Sequence, residues 1–194
     1  YRPNLWWSSY DGVKIGINLN GNYLNHHHLF DINFWLNTGQ LQDENIINKE
    51  NYDLYSYKMN YNTNLDNYMK YARIKLSTNF IAGLYSNQMS FSKYTLDKKN
   101  KINIGLVSYY RTKAENYMLY PKLWNINKFN NRIDLSLEHK YNIKDISGKI
   151  ELSTMSSALF SDYNYNKFIL QNTNNSSLFD LKLKSRIFIQ IGTG

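Results

Sequence analysis

Residues 11–38 read D-G-V-K-I-G-I-N-L-N-G-N-Y-L-N-H-H-H-L-F-D-I-N-F-W-L-N-T. Val13, Ile15, Ile17 and Leu19 alternate with Lys14, Gly16, Asn18 and Asn20. Past Gly21 and Asn22 the alternation resumes, with Phe30, Ile32, Phe34 and Leu36 against Asp31, Asn33 and Trp35. A period of two sends successive side chains to opposite faces, so both arms read as strands of a hairpin with one apolar and one polar face. Each arm matches the roughly 9–11 residues that a tilted strand needs to cross a bilayer's hydrocarbon layer. A soluble sheet with one wet face carries the same pattern.

The alternation recurs along the chain. Residues 52–62 set Tyr55, Tyr57, Met59 and Tyr61 against Ser56, Lys58 and Asn60, and residues 68–80 set Ala72, Ile74 and Leu76 against Arg73, Lys75 and Ser77. A weaker strand runs over 88–96 through Met89 and Phe91. Stronger ones follow over 101–111 (Ile102, Ile104, Leu106), 129–141 (Ile133, Leu135, Leu137), 147–160 (Ile150, Leu152, Ala158) and 178–191 (Leu181, Leu183, Ile187, Ile189, Ile191). The pattern predicts about nine strands, with a further short one around 168–170. It contains no sustained 3.6-residue apolar stripe and no repeat of 20–50 residues. The expected fold is all-β, an antiparallel up-and-down meander. Residues 1–10 read as an aromatic lead-in, and residues 1–194 as a single barrel segment of a longer chain.

Two features favour a membrane barrel over a soluble sandwich. Many of the strands exceed the roughly five or six residues usual in soluble sheets. Connections also alternate in length: 21–27, 63–67, 97–100 and 142–145 are short, whereas 38–51, 112–127 (with Pro121 and Trp124) and 161–176 are long. Short turns at one rim and long loops at the other are the habit of outer-membrane barrels. The connection at Gly83 is short where a long one is due. Such barrels use an even number of strands, so nine implies a missed strand or a missing segment.

In that setting Trp6, Trp7, Trp35, Tyr10, Tyr55 and Tyr57 are the candidate rim aromatics, because amphipathic rings favour the water–lipid boundary. Trp35 nevertheless falls on the polar face. Asp134, Glu138, Lys149, Glu151, Lys182, Lys184 and Arg186 are the candidate lumen-facing charges, able to pair across strands.

Composition narrows the picture further. Aromatics make up 16% of the 194 residues, led by 18 Tyr, with only 2 Pro, which favours strands. Mean hydropathy is −0.59, and no apolar run is long enough for a transmembrane helix. The absence of Cys removes disulfide scaffolds, thiol catalysis and Cys-based zinc sites. The net charge of +8 has solvated lysine as its ordinary account and nucleic acid or anionic lipid as its sharper ones. Basic residues cluster only at Lys98, Lys99 and Lys101, in one turn. No recognition helix or RNA-binding signature accompanies them, so nucleic acid is set aside.

Residues 2–42, with R-P-N-L-W-W-S-S-Y-D-G-V-K-I-G-I-N-L-N-G-N-Y and then F-W-L-N-T-G, resemble the C-terminal region of large Bacteroidetes surface proteins. The N-terminal part of those proteins is similar to thermolysin-like zinc aminopeptidases. Their C-terminal part looks like an outer-membrane β-barrel opening with W-x-x-Y-D-G-x-K-x-G, here Trp7, Tyr10, Asp11, Gly12, Lys14 and Gly16. The match covers about a fifth of the chain. The resemblance implies a zinc metallopeptidase held at the bacterial outer membrane, with this chain as its non-catalytic anchor. Outer-membrane lipid and the peptidase-like domain would be its partners. Zinc would belong to that domain, since no H-E-x-x-H occurs in these residues and no catalytic residue carries over.

Other chemistry is thinly supported. Of His26, His27 and His28, at most His26 and His28 share a strand face, and zinc wants three or four ligands. His139 has no predictable relation to them. Asp43 and Glu44 lie in a long loop. There is no G-x-S-x-G elbow, and Gly16, Gly21, Gly39 and Gly105 do not form a phosphate-cradling loop before a helix. The expected role is a non-catalytic, cofactor-free membrane anchor. The alternatives are a soluble β-sandwich or small barrel binding carbohydrate or another ligand through its Tyr-rich surface, and a pore or transport barrel.

Overall fold

The computed structural model describes residues 1–24, 27–44, 52–113, 125–144, 146–178 and 181–194. His26, Pro121, Trp124 and Asp145 lie outside the described residues. Eleven strands follow one another: β1 (Arg2–Ser8), β2 (Gly12–Tyr23), β3 (His28–Asn37), β4 (Tyr55–Asn64), β5 (Ala72–Ile81), β6 (Leu84–Tyr94), β7 (Asn100–Arg111), β8 (Phe129–Ile143), β9 (Ile146–Ser157), β10 (Asn166–Leu178) and β11 (Leu181–Thr193). They form one sheet in strict sequence order, with β1 and β11 as its open edges. The meander and its antiparallel pairing are as expected from the alternation, and the described residues contain no helix.

The count is eleven rather than nine because two strands lack the expected pattern. In β1, Leu5, Trp6 and Trp7 are consecutive, and Pro3 removes a backbone donor. Both are tolerated because β1 is an edge strand, paired only to β2. The aromatic lead-in is therefore itself a strand. β10 carries Q-N-T-N-N-S-S through its second half and reads as loop by propensity. It is extended because β9 and β11 pair with it on both sides over most of its length. The connection expected over 161–176 accordingly shrinks to 158–165.

Connections after even-numbered strands are short (24–27, 65–71, 95–99, 144–145 and 179–180). The long ones, 38–54 and 112–128, follow odd-numbered strands. The exception at Gly83 is a two-residue hairpin in which Ala82 and Gly83 have φ of 50° and 71°. Two successive positive φ values define the type I′ turn, whose twist matches that of the flanking strands. As a result β6 begins at Leu84, ahead of the position that its apolar residues mark.

The chain divides into two compact units. Unit 1 is Tyr1–Thr63, Lys75–Met89 and Ser108–Asn130, and unit 2 is Asn64–Ile74, Ser90–Val107 and Asn131–Gly194. In unit 1, and on β8 in unit 2, the polar side of the strands is the more covered one, whereas β11 is exposed on both sides. In unit 1 Lys14 and Ser56 are 0% exposed, whereas Ile15 and Ile17 are 57% and 51% exposed. In unit 2 Leu135 and Leu137 are exposed, while Asp134, Ser136 and Glu138 between them are half-buried.

Candidate functional site

The W-x-x-Y-D-G-x-K-x-G segment forms a polar knot in unit 1. Gly12 has φ of 71°, and a Cβ there would collide with the Gln40 carbonyl, so the turn from β1 into β2 requires glycine. That turn brings Asp11 and Lys14 into a fully covered ion pair. Lys14 Nζ also donates to Ser56 Oγ at 2.8 Å, and Asn37 Nδ2 donates to the same oxygen at 3.0 Å. Asp11 accepts from the Asp53 amide at 3.3 Å. Asp53 in turn pairs with Lys113 at 2.9 Å and accepts from the Gly83 amide at 2.7 Å.

The segment after β3 is laced onto the same turn. Gly39 N donates to Asp11 O, Val13 N to Gln40 O, and Trp7 Nε1 to Leu41 O at 2.8 Å. Tyr10 is buried beneath this lacing, with Lys113 Nζ 5.7 Å from its ring centroid. Trp7, Tyr10, Asp11, Gly12 and Lys14 of the motif thus meet in one bonded cluster. Two charges taken out of water need further polar partners. Here Ser56 serves Lys14, the Ser8 hydroxyl and the Asp53 amide serve Asp11, and Asn37 holds Ser56 in place.

The candidate rim aromatics divide. Trp7, Tyr55 and Tyr57 lie on the apolar face, opposite Val13, Leu36 and Phe34 in register. Tyr10, Trp35 and Trp6 lie elsewhere, Trp35 on the polar face as its position in the alternation implies. Tyr10 and Trp35 are covered by protein, and Trp6 and Trp35 face the polar side, with ring centroids 5.5 Å apart. Lys14 Nζ stands 5.1 Å from the Trp6 centroid. The cause is register. Lys14 sits opposite both Trp6 and Asn37, and Gly16 sits opposite Trp35.

A larger ring system went unread in the sequence. On the apolar face of unit 1, Phe34, Tyr55, Phe80, Tyr85, Tyr110 and Phe129 form a continuous chain of aromatic contacts across β3 to β8. The centroid separations run from 4.1 to 6.3 Å. Its signal is positional: each ring stands near a strand end beside a connection that follows an odd-numbered strand. At the other end of that face His28 Nδ1 meets Tyr61 Oη at 2.5 Å and Thr63 Oγ1 at 3.1 Å. Between the two groups lie exposed Ile15, Ile17, Leu19 and Met59.

In unit 2 the register brings Asp134, Glu138, Lys149, Glu151, Lys182, Lys184 and Arg186 to one face. Glu138 stands opposite Glu151, and Lys140 opposite Lys149. Like charges placed directly across strands repel, and diagonal contacts relieve them. Lys149 Nζ lies 3.2 Å from Glu138 and 3.4 Å from Glu151. Arg132 pairs with Asp134 at 3.0 Å, and Arg186 donates to Gln171 at 2.7 Å. The opposite face carries Ile133, Leu135, Leu137, Leu152, Ile150 and Leu170, and it ends in Tyr141, which donates to Asn172 at 2.9 Å.

Among the described residues no three His, Asp or Glu side chains are placed to hold a metal ion. Comparison with family models, with curated proteins and with solved structures finds no match.

Proposed function

We propose that this chain is wall of an outer-membrane β-barrel that anchors, or couples to the membrane, a metallopeptidase-like domain lying outside it. The observation that carries this reading is the inverted burial. Soluble sheets bury Ile and Leu and wet their Lys and Asn. Here Lys14, Asn18, Asn33 and Asn37 are buried and Ile15, Ile17, Leu36 and Leu106 are exposed. Each large apolar side chain left in water forgoes about 1.5–3 kcal/mol. An acyl-chain environment restores that stabilisation across the whole face.

Strand length supports the same reading. Strands β2 to β11 run from 10 to 15 residues, enough to span hydrocarbon when tilted. The ring chain of unit 1 fits an aromatic girdle at the lipid boundary. A β-sandwich fits less well, since it needs two layers with Leu and Ile meeting between them, and the described residues form one sheet. The packed polar knot of unit 1 favours an anchor over an open channel. Coupling to a zinc peptidase rests on the resemblance of residues 2–42.

The membrane reading is tested by electrophoresis without boiling after detergent extraction. A barrel migrates faster before heating than after it. A monomer that stays soluble without detergent and shows no heat-dependent shift overturns the reading. The peptidase half is tested by the coding sequence upstream of Tyr1, where an H-E-x-x-H domain is expected and an unrelated domain refutes it.

A further inference from the structure

The lysines that composition singled out acquire a setting in unit 2. The turn 65–71 and the turn 95–99 lie side by side, since Tyr94 N donates to Tyr71 O at 3.2 Å and Lys98 Nζ sits 4.9 Å from the Tyr71 ring centroid. The end of β8 joins them: Lys140 N donates to Lys99 O at 2.8 Å, and His139 Nδ1 meets Asn100 Oδ1 at 2.6 Å. This surface exposes Lys70, Lys98 and Lys99 together with Tyr68 and Leu96, which are 93% and 78% exposed.

Its two carboxylates are engaged internally. Asp66 accepts from the Tyr71 amide at 2.8 Å, and Asp97 accepts from the Lys99 amide at 3.0 Å and from the Thr95 hydroxyl. Neutral donors leave both carboxylates charged, but Lys70, Lys98 and Lys99, with Lys101 and Lys140 over the Tyr94 ring, outnumber them, so the patch is net positive. The apolar face begins immediately beside it. Ile102 and Leu137 are exposed on β7 and β8, and Ile102 is about 10 Å along the strand from Lys99.

We propose that this surface binds the headgroup phosphate of anionic glycerophospholipid. The inference rests on the membrane reading above and adds the headgroup class. A lipid whose acyl chains lie along Ile102, Ile104 and Leu137 places its phosphate beside Lys98 and Lys99, while Tyr68 and Leu96 enter the interface next to it. Zwitterionic lipid offers the same tails without net charge, so the lysines make the discrimination. Each lysine at an anionic surface contributes about fivefold.

The test uses the full chain in zwitterionic detergent, mixed with phosphatidylglycerol, phosphatidylcholine or lipid A and examined by native mass spectrometry. Phosphatidylglycerol is expected to be retained roughly tenfold or more over phosphatidylcholine, and Lys70→Gln/Lys98→Gln/Lys99→Gln to bring the two close to parity. Parity in the unaltered protein, or a preference that survives the triple substitution, overturns the headgroup proposal and leaves the membrane reading standing. Stronger retention of lipid A overturns the choice of glycerophospholipid. Retention of no lipid of any class removes the membrane reading as well.

Discussion

Gly16 and Trp35 face one another across β2 and β3, and the indole occupies the space that a side chain at position 16 would need. A Cβ there would stand 2.7 Å from Trp35 Cδ1 and would also collide with the Phe34 carbonyl. Tyr141 covers Gly148 in the same way, and Phe30 covers Gly21. An aromatic ring laid over a paired glycine fills the gap in the sheet and fixes the register of both strands.

Gly16→Val is therefore expected to destabilise the folded protein by about 1–3 kcal/mol. The upper part of that range applies, because one obstacle is main chain and cannot rotate away. Urea unfolding in detergent micelles measures it, and an unshifted midpoint rejects the contact.

The Asp11–Lys14 pair makes a sharper case. Removing one partner leaves a buried charge unopposed, and both Lys14→Met and Asp11→Asn are expected to cost about 3–5 kcal/mol. The double substitution removes both charges and is expected to recover most of that loss. A double-mutant cycle by denaturant unfolding checks it. Strictly additive single effects would mean that the two residues do not act as a pair.

The membrane reading makes the outward strand positions the sensitive ones. Ile104→Arg and Leu135→Arg are each expected to block membrane assembly, at about 2–4 kcal/mol near the midplane. Ser136→Arg, next in sequence but on the other face, is expected to assemble. The readout is the fraction of protein showing heat-dependent migration. Normal assembly of both outward arginines would falsify the lipid-facing assignment.

Asp97 sets a pH dependence in the turn 95–99. The Thr95 hydroxyl, and then the Lys99 amide, hold its carboxyl below the ordinary value of 3.8. A depressed carboxylate stabilises the turn fully above 3.8, and that contribution is lost as pH falls through the lower folded value. The Lys99 amide exchange rate, taken relative to the unstructured rate at each pH, is expected to step up in that acid window. In Asp97→Asn the rate should lack that added step, and an identical profile in both proteins counts against the turn.

Much of the sheet is legible in the period-two pattern, because each alternating strand declares both of its faces. Ile15 and Lys14 announce opposite sides without any coordinates. What the pattern leaves open is which side is covered, since charge stands opposite apolar groups in either case. Strands held by both neighbours, such as β10, also escape it, because pairing overrides the loop-like propensity of Asn172 to Ser176. The seven charges of unit 2 were legible for the same reason as the strands. The knot around Asp11 was not: Ser56, Asp53 and Lys113 are far away in sequence and carry no local signal for their meeting. The covering of Trp35 was not legible either, because cross-strand register sets it against Gly16.

Among the described residues each strand bonds to those next to it in the chain. Every ladder therefore closes a local loop, and the sheet has a low contact order for an all-β protein, the condition for comparatively fast folding. Growth can proceed hairpin by hairpin from either end, with each new strand templated by the last. The long segments after β3 and β7 are the points where the entropy of loop closure weighs most, and there the zipping is expected to pause.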